Sequence, residues 1–127
     1  MDTSKQYIKK IKVESFNEGN DGNVISPDCQ IEINNPVFVY RNFDKTDPKS
    51  IIGEAVVTKE SDGLYAELSI YDNKPDSKWF KHLYPAIGGR INERNGSGQI
   101  IKMRLNEVSL NATPNNDPTI KQIKDQI

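Results

Sequence analysis

IIGEAVVTKESDGLYAELSIY, residues 51–71, decides the fold class. Two alternating apolar runs, 51–59 and 64–71, flank Glu60-Ser61-Asp62-Gly63. An Asp-Gly pair between such runs is a strong short-range signal for a β-hairpin. A side-chain period of two then turns Leu64, Ala66, Leu68 and Ile70 to the core and Glu67 and Ser69 outward. Upstream, YIKKIKVESF (7–16) reads as a strand with Ile11, Val13 and Ser15 on one side. Residues 17–28 carry Gly19, Gly22 and Pro27 among Asn and Asp, the chemistry of a long turn. QIEI (30–33) and VFVYR (37–41) read as two short strands separated by Asn34-Asn35-Pro36, and 42–50 as a loop in which Pro48 disfavours helix.

Downstream, DSKWFKHLY (76–84) is the one candidate helix, with Asp76 or Ser77 as N-cap and an apolar stripe of Trp79, Phe80 and Leu83. Pro85 and Gly88-Gly89 end it. IGGRINER (87–94) and QIIKMRLNEVSLN (99–111) flank a turn at 95–98. Regular alternation places Ile101, Met103, Leu105, Glu107 and Ser109 on one face and Lys102, Arg104, Asn106 and Val108 on the other. The tail holds Pro114 and Pro118 and reads as an extended arm with a short amphipathic turn at Ile120 and Ile123. The expectation is one mainly β domain over 1–127, a barrel or sandwich with one or two short helices, and arms at about 1–12 and 113–127.

Composition narrows the function classes. Seventeen Lys+Arg against eighteen Asp+Glu leave a net charge of -1, so there is no basic excess for phosphate neutralisation, and a nucleic-acid partner is not expected. Neither is a membrane: no apolar run reaches spanning length, and MDTSKQYIKKIKVES lacks a signal-like apolar block. One Cys (Cys29) and one His (His82) do not make a disulfide scaffold or a usual zinc framework, and no cofactor is expected. Asp44, Asp47, Asp72 and Asp76 lack the spacing of a calcium loop. Lys9, Lys10 and Lys12 read as a solvated edge strand, His82 as a surface histidine, and Cys29 as a semi-buried apolar residue.

Four segments carry a resemblance. The 51–71 hairpin resembles the "IG…DDKGLYVEG" hairpin of the prohead (capsid maturation) serine proteases of tailed bacteriophages, with Gly53, Gly63 and Leu64 matching. PAIGGRI (85–91) resembles that family's "LSIGF" strand, and EVSLNATPNNDP (107–118) is similar to its ending "EVSLVTFPANP". DGNVISPD (21–28) is a weaker echo of its "GDVVLPG" turn. The resemblance implies a herpesvirus-protease-like β-barrel with a Ser nucleophile, a His base and an acidic partner.

Carried over residue by residue, the nucleophile position falls on Ala86. The base position falls on Phe43, or on Asn42 if the alignment slips by one. The acidic position falls on Glu107. Loss of one catalytic Ser or His typically costs about 10⁶ in turnover, and loss of both leaves no covalent route. The implication is a catalytically inactive protein of the phage head, made in the host cytoplasm and carried in the virion. It would be an auxiliary (decoration or cementing) protein bound to the major capsid protein within a large assembly. Trp79, Phe80, Ile120 and Ile123 are candidate contacts, the arms 1–12 and 113–127 are the favoured interface, and removal of 113–127 is expected to leave the domain folded but release it from its partner. Two rivals stand beside this reading: an active maturation protease using His82 with Ser109 or Ser69, and a small β module with an unrelated partner.

Overall fold

A computed structural model describes residues 5–18 and 23–127. Six strands make one sheet: β1 Lys5–Ser15, β2 Ile25–Arg41, β3 Ile51–Glu60, β4 Gly63–Tyr71, β5 Tyr84–Arg94 and β6 Ile100–Asn111. The order is β1-β4-β3-β2-β6-β5, with β2 and β6 parallel and the other neighbours antiparallel. The protein is mainly β, as expected. Its hydrogen-bonded sheet is not closed, however, and β1 and β5 are left as edges.

The β3–β4 hairpin forms where the alternation puts it. Leu64, Ala66, Leu68 and Ile70 are buried, and Glu67 is exposed. The turn differs from the Asp-Gly expectation, because Glu60 pairs directly with Gly63 and the connection is Ser61-Asp62. Gly63 opens β4 instead, and a Cβ there would collide with the Glu14 carbonyl oxygen of β1. This glycine is required by the close approach of two backbones.

β2 runs through the separator that the sequence suggested. Pro36 has no N–H for the ladder, and the Asn35 side chain takes over the rung. Asn35 Oδ1 accepts from the Val57 N–H at 2.9 Å, and its Nδ2 donates to the Val57 carbonyl at 2.9 Å. A side-chain amide thus keeps β2 on β3 across the proline.

The regular alternation expected for β6 also breaks. Gly88 pairs with Glu107 and the next residue, Gly89, with Leu105, leaving Asn106 as an extra residue. Such a bulge switches the faces beyond it. Leu105, Val108 and Leu110 all enter the core, whereas Glu107 and Ser109 pair with the outward-facing Phe38 and Tyr40 of β2. The predicted common face of Leu105, Glu107 and Ser109 does not exist.

No α-helix forms over 76–84. Two 3₁₀ turns, Pro75–Lys78 and Phe80–His82, take its place, broken at Trp79 with φ -140° and ψ 6°. One isolated turn of apolar contacts is too short to sustain a helix, and Tyr84-Pro85 already belongs to β5. Asp76 caps nothing through its side chain. It is buried and accepts from the Arg41 guanidinium at 3.3 Å.

The predicted arms are part of the body. Residues 5–12 lie in β1, paired with β4; the rest of that arm lies outside the described residues. The tail straps the open side of the sheet. Asn115 Nδ2 donates to Pro85 O of β5 at 2.9 Å and to Val13 O of β1 at 3.4 Å, bridging the two edges. Gln126 pairs with both the N–H (2.7 Å) and the carbonyl (3.1 Å) of Lys12. Ile120 and Ile123 are 3% and 0% exposed, and the Ile123 N–H donates to Leu83 O at 3.1 Å. Ile123→Ala is therefore expected to cost about 2–5 kcal/mol in urea denaturation, although a free arm would lose nothing. Deletion of 113–127 should unfold the domain rather than leave it intact.

Candidate functional site

The turn that follows β2 positions the site. Asn42 and Phe43 both have positive φ, 51° and 54°, and the Asp44 N–H returns to Arg41 O at 3.1 Å. Two consecutive positive φ values define a type I′ turn. Asn tolerates this backbone, but a phenylalanine there is a costly outlier. The turn is pinned to β6: the Asn42 N–H donates to Leu110 O at 3.0 Å, the Ala112 N–H to Asn42 Oδ1 at 3.1 Å, and the Phe43 N–H to Ser109 Oγ at 2.7 Å.

The turn thereby covers the row switched outward by the bulge. Ala86 of β5 pairs with Ser109, and two residues on, Gly88 pairs with Glu107. Ala86 is 9% exposed, Glu107 3% and Ser109 0%. Glu107 forms an ion pair with Lys45 from the same loop. Its carboxylate fills the space that a Cβ on Gly88 would take. A buried carboxylate against a glycine, held by one lysine, is a clamp that closes the loop onto the sheet.

Phe43 and Ala86 meet at one cleft of about 310 Å³, with Asn42, Asn111, Asn115 and Asn116 among its other lining residues. Glu107 does not line it. A second cleft of about 260 Å³ continues along the seam between β1 and β5, reaching Ile25, Gly88, Ile91 and Met103.

The chemistry available in the first cleft follows from its hydrogen bonds. Ser109 Oγ accepts from the Phe43 N–H at 2.7 Å and donates its own proton to Asn111 Oδ1 at 2.6 Å. Buried and committed at both ends, it faces no base. His82 is exposed on the Phe80–His82 turn and lines neither cleft. Ser69 sits on β4 between Tyr7 and Glu54, remote in the sheet from β5 and β6. Cys29 is 1% exposed, and burial pushes its thiol up despite the opposing charge of Lys59. Such a thiol is a poor nucleophile.

The candidate contact residues divide. Trp79 is 39% exposed and stays accessible, whereas Phe80, Ile120 and Ile123 are buried in the chain's own core. Apolar spacing alone does not separate a core anchor from an interface anchor, and for three of the four the core wins. Asn111, Asn115 and Ser109 were not picked out as a set. Their convergence depends on the β6 bulge and the tail strap, neither of which has a local sequence signal.

Among the described residues no group of three His, Cys, Asp or Glu side chains could hold a metal ion. No helix among them is long and apolar enough to cross a membrane. The chain matches no protein-family model, and no curated protein matches it at a significant level.

Asp117 braces the tail behind the cleft. It is 1% exposed, and its Oδ1 accepts from the Thr119 N–H at 2.9 Å and from the Thr119 hydroxyl at 2.6 Å. Burial works against its charge. Hydrogen bonds from Thr119 and Ser15, with the charge of Lys12, outweigh it, holding the carboxyl below its ordinary value of 3.8. A lowered folded-state value stabilises above the unfolded value and is lost as pH falls through the folded one. Asp117→Asn should therefore cost about 1–3 kcal/mol at neutral pH. Its stability curve should converge on that of the native sequence only below the ordinary carboxylate value. Urea denaturation across pH checks this, and a difference that persists unchanged to about pH 2 would contradict it.

Proposed function

We propose that this chain is a catalytically inactive structural protein of a tailed-phage head. In this reading it is an auxiliary, decoration or cementing protein with a prohead-protease-like, herpesvirus-protease-like barrel fold, bound to the major capsid protein in the virion. The observation that carries the proposal is the meeting of Phe43 and Ala86 at one cleft. These are the two positions on which the resemblance places base and nucleophile, and they lie 43 residues apart in sequence (86 − 43). Their convergence supports a common ancestral site, and their identities remove its chemistry. A phenyl ring takes no proton and a methyl group attacks no carbonyl.

Glu107, the position matched to the acidic partner, supports the same reading through its present use. It is tied to Lys45 and packs against Gly88, a structural job that explains its retention in a protein without catalysis. The net charge of -1 suits packing against protein rather than nucleic acid. With Phe80, Ile120 and Ile123 buried, Trp79 is the remaining anchor from the sequence reading for a capsid contact.

Quantitative mass spectrometry of purified virus particles tests the proposal. A fixed ratio to the major capsid protein, with many intact copies per particle, is the expected result. Absence from mature particles, or the presence of self-cleaved fragments only, would contradict it.

A further inference from the structure

The cleft at the Asn42–Phe43 turn has donors set for a ligand that the structural role does not use. Asn42 Oδ1 is taken by the Ala112 N–H. Asn111 Oδ1 accepts from the Ser109 hydroxyl, whose oxygen accepts from the Phe43 N–H. The orientation of the Asn42 amide follows from a backbone donor, which cannot reverse, and that of Asn111 from the Ser109 hydroxyl that donates to it. Each residue therefore keeps its Nδ2 group without a partner among the described residues, and both residues line the cleft. Asn115 contributes no such group, since its amide is spent on Pro85, Val13 and Asp117.

The remaining lining sets the ligand class. Phe43 is 41% exposed and offers an apolar ring beside the amides. Glu14 brings a carboxylate, one oxygen of which already accepts from the Ser15 N–H at 3.3 Å, and no lysine or arginine lines the cleft among the described residues. Without a cation the site has nothing to neutralise a phosphate or carboxylate. With one carboxylate and amide donors it lacks the oxygen cage that a hard cation needs. Amide donors, a carboxylate acceptor and an aromatic face together suit hydroxyl groups, which both donate and accept, mounted on a ring with an apolar side. The volume, about 310 Å³, lies at the small end of ligand sites.

We propose that this cleft binds a neutral sugar unit, with Asn42 and Asn111 donating to its hydroxyl oxygens and Phe43 stacking on its apolar face. The ligand is a free monosaccharide or one residue of a surface polysaccharide; the chemistry is shared. The inference is independent of the capsid reading, because it rests on the hydrogen-bond directions and not on Ala86.

The test uses the full chain with saturation-transfer NMR against methyl glucoside, methyl mannoside, methyl galactoside and N-acetylglucosamine, and in parallel an oligosaccharide array. Phe43→Gly removes the ring at a positive-φ position that glycine adopts freely, so the variant should fold at least as well. Asn42→Gly removes one donor at a similar backbone. Transfer to a free sugar, weakened roughly tenfold in Phe43→Gly, supports the proposal and a monosaccharide ligand. Binding on the array alone, with the same sensitivity, supports it with a polysaccharide as source. No binding in either format overturns it, as does binding that neither variant weakens.

Discussion

An open sheet with two unpaired edges is the constraint around which this structure is arranged. β1 and β5 each have a backbone row without a strand beside it, and such rows invite pairing with other chains. The tail meets the problem with side chains. Asn115 bridges Val13 and Pro85 across the gap, and Gln126 gives Lys12 a two-bond rung. Two amides of this kind are worth roughly 1 kcal/mol each and do not hold a tail alone. Burial of Ile120 and Ile123, at about 1.5–3 kcal/mol per side chain, supplies the remainder. Apolar anchoring holds the strap, and the amides set its register.

The cleft follows from the same arrangement. One wall is the strap (Thr113 to Asn116), a second the start of β5, and a third the Asn42–Phe43 turn. The turn is held down by Ser109 and by the Lys45–Glu107 pair, and both acceptors face it only because Asn106 bulges out of β6. A single extra residue in one strand thus turns two would-be core positions into the anchors of the turn that walls the cleft. Ser109 is locked into a hydrogen-bonded chain that runs from the Phe43 N–H and ends at Asn111.

How much of this was legible in the sequence depends on how local each signal is. The period-two pattern of Leu64 to Ile70 is local, and the hairpin appeared with its core face as read. Ile11, Val13 and Ser15 of β1 were equally plain and are all buried. The bulge at Asn106 has no such signal, because an exposed asparagine in a strand looks the same whether or not it is paired. The continuity of β2 depends on Asn35 reaching Val57, a contact 22 residues away. Pro, Asn and Ile in the tail read as an arm because their partners, Lys12, Val13 and Leu83, lie far upstream. Trp79, Phe80 and Leu83 show helical spacing, but Tyr84-Pro85 is needed for β5, and the strand prevails. That Phe43 and Ala86 line one cleft has no local signal either, since they lie on a turn and a strand brought together by the β5–β6 pairing.

Treatment of the purified, folded protein with a fluorophosphonate probe, followed by peptide mass spectrometry, tests the proposed catalytic inactivity most directly. The account predicts no specifically labelled serine, with Ser109 blocked by Phe43 and Asn111 and no histidine in reach. Stoichiometric labelling of Ser109, or of any other serine in a manner that depends on His82, would contradict it.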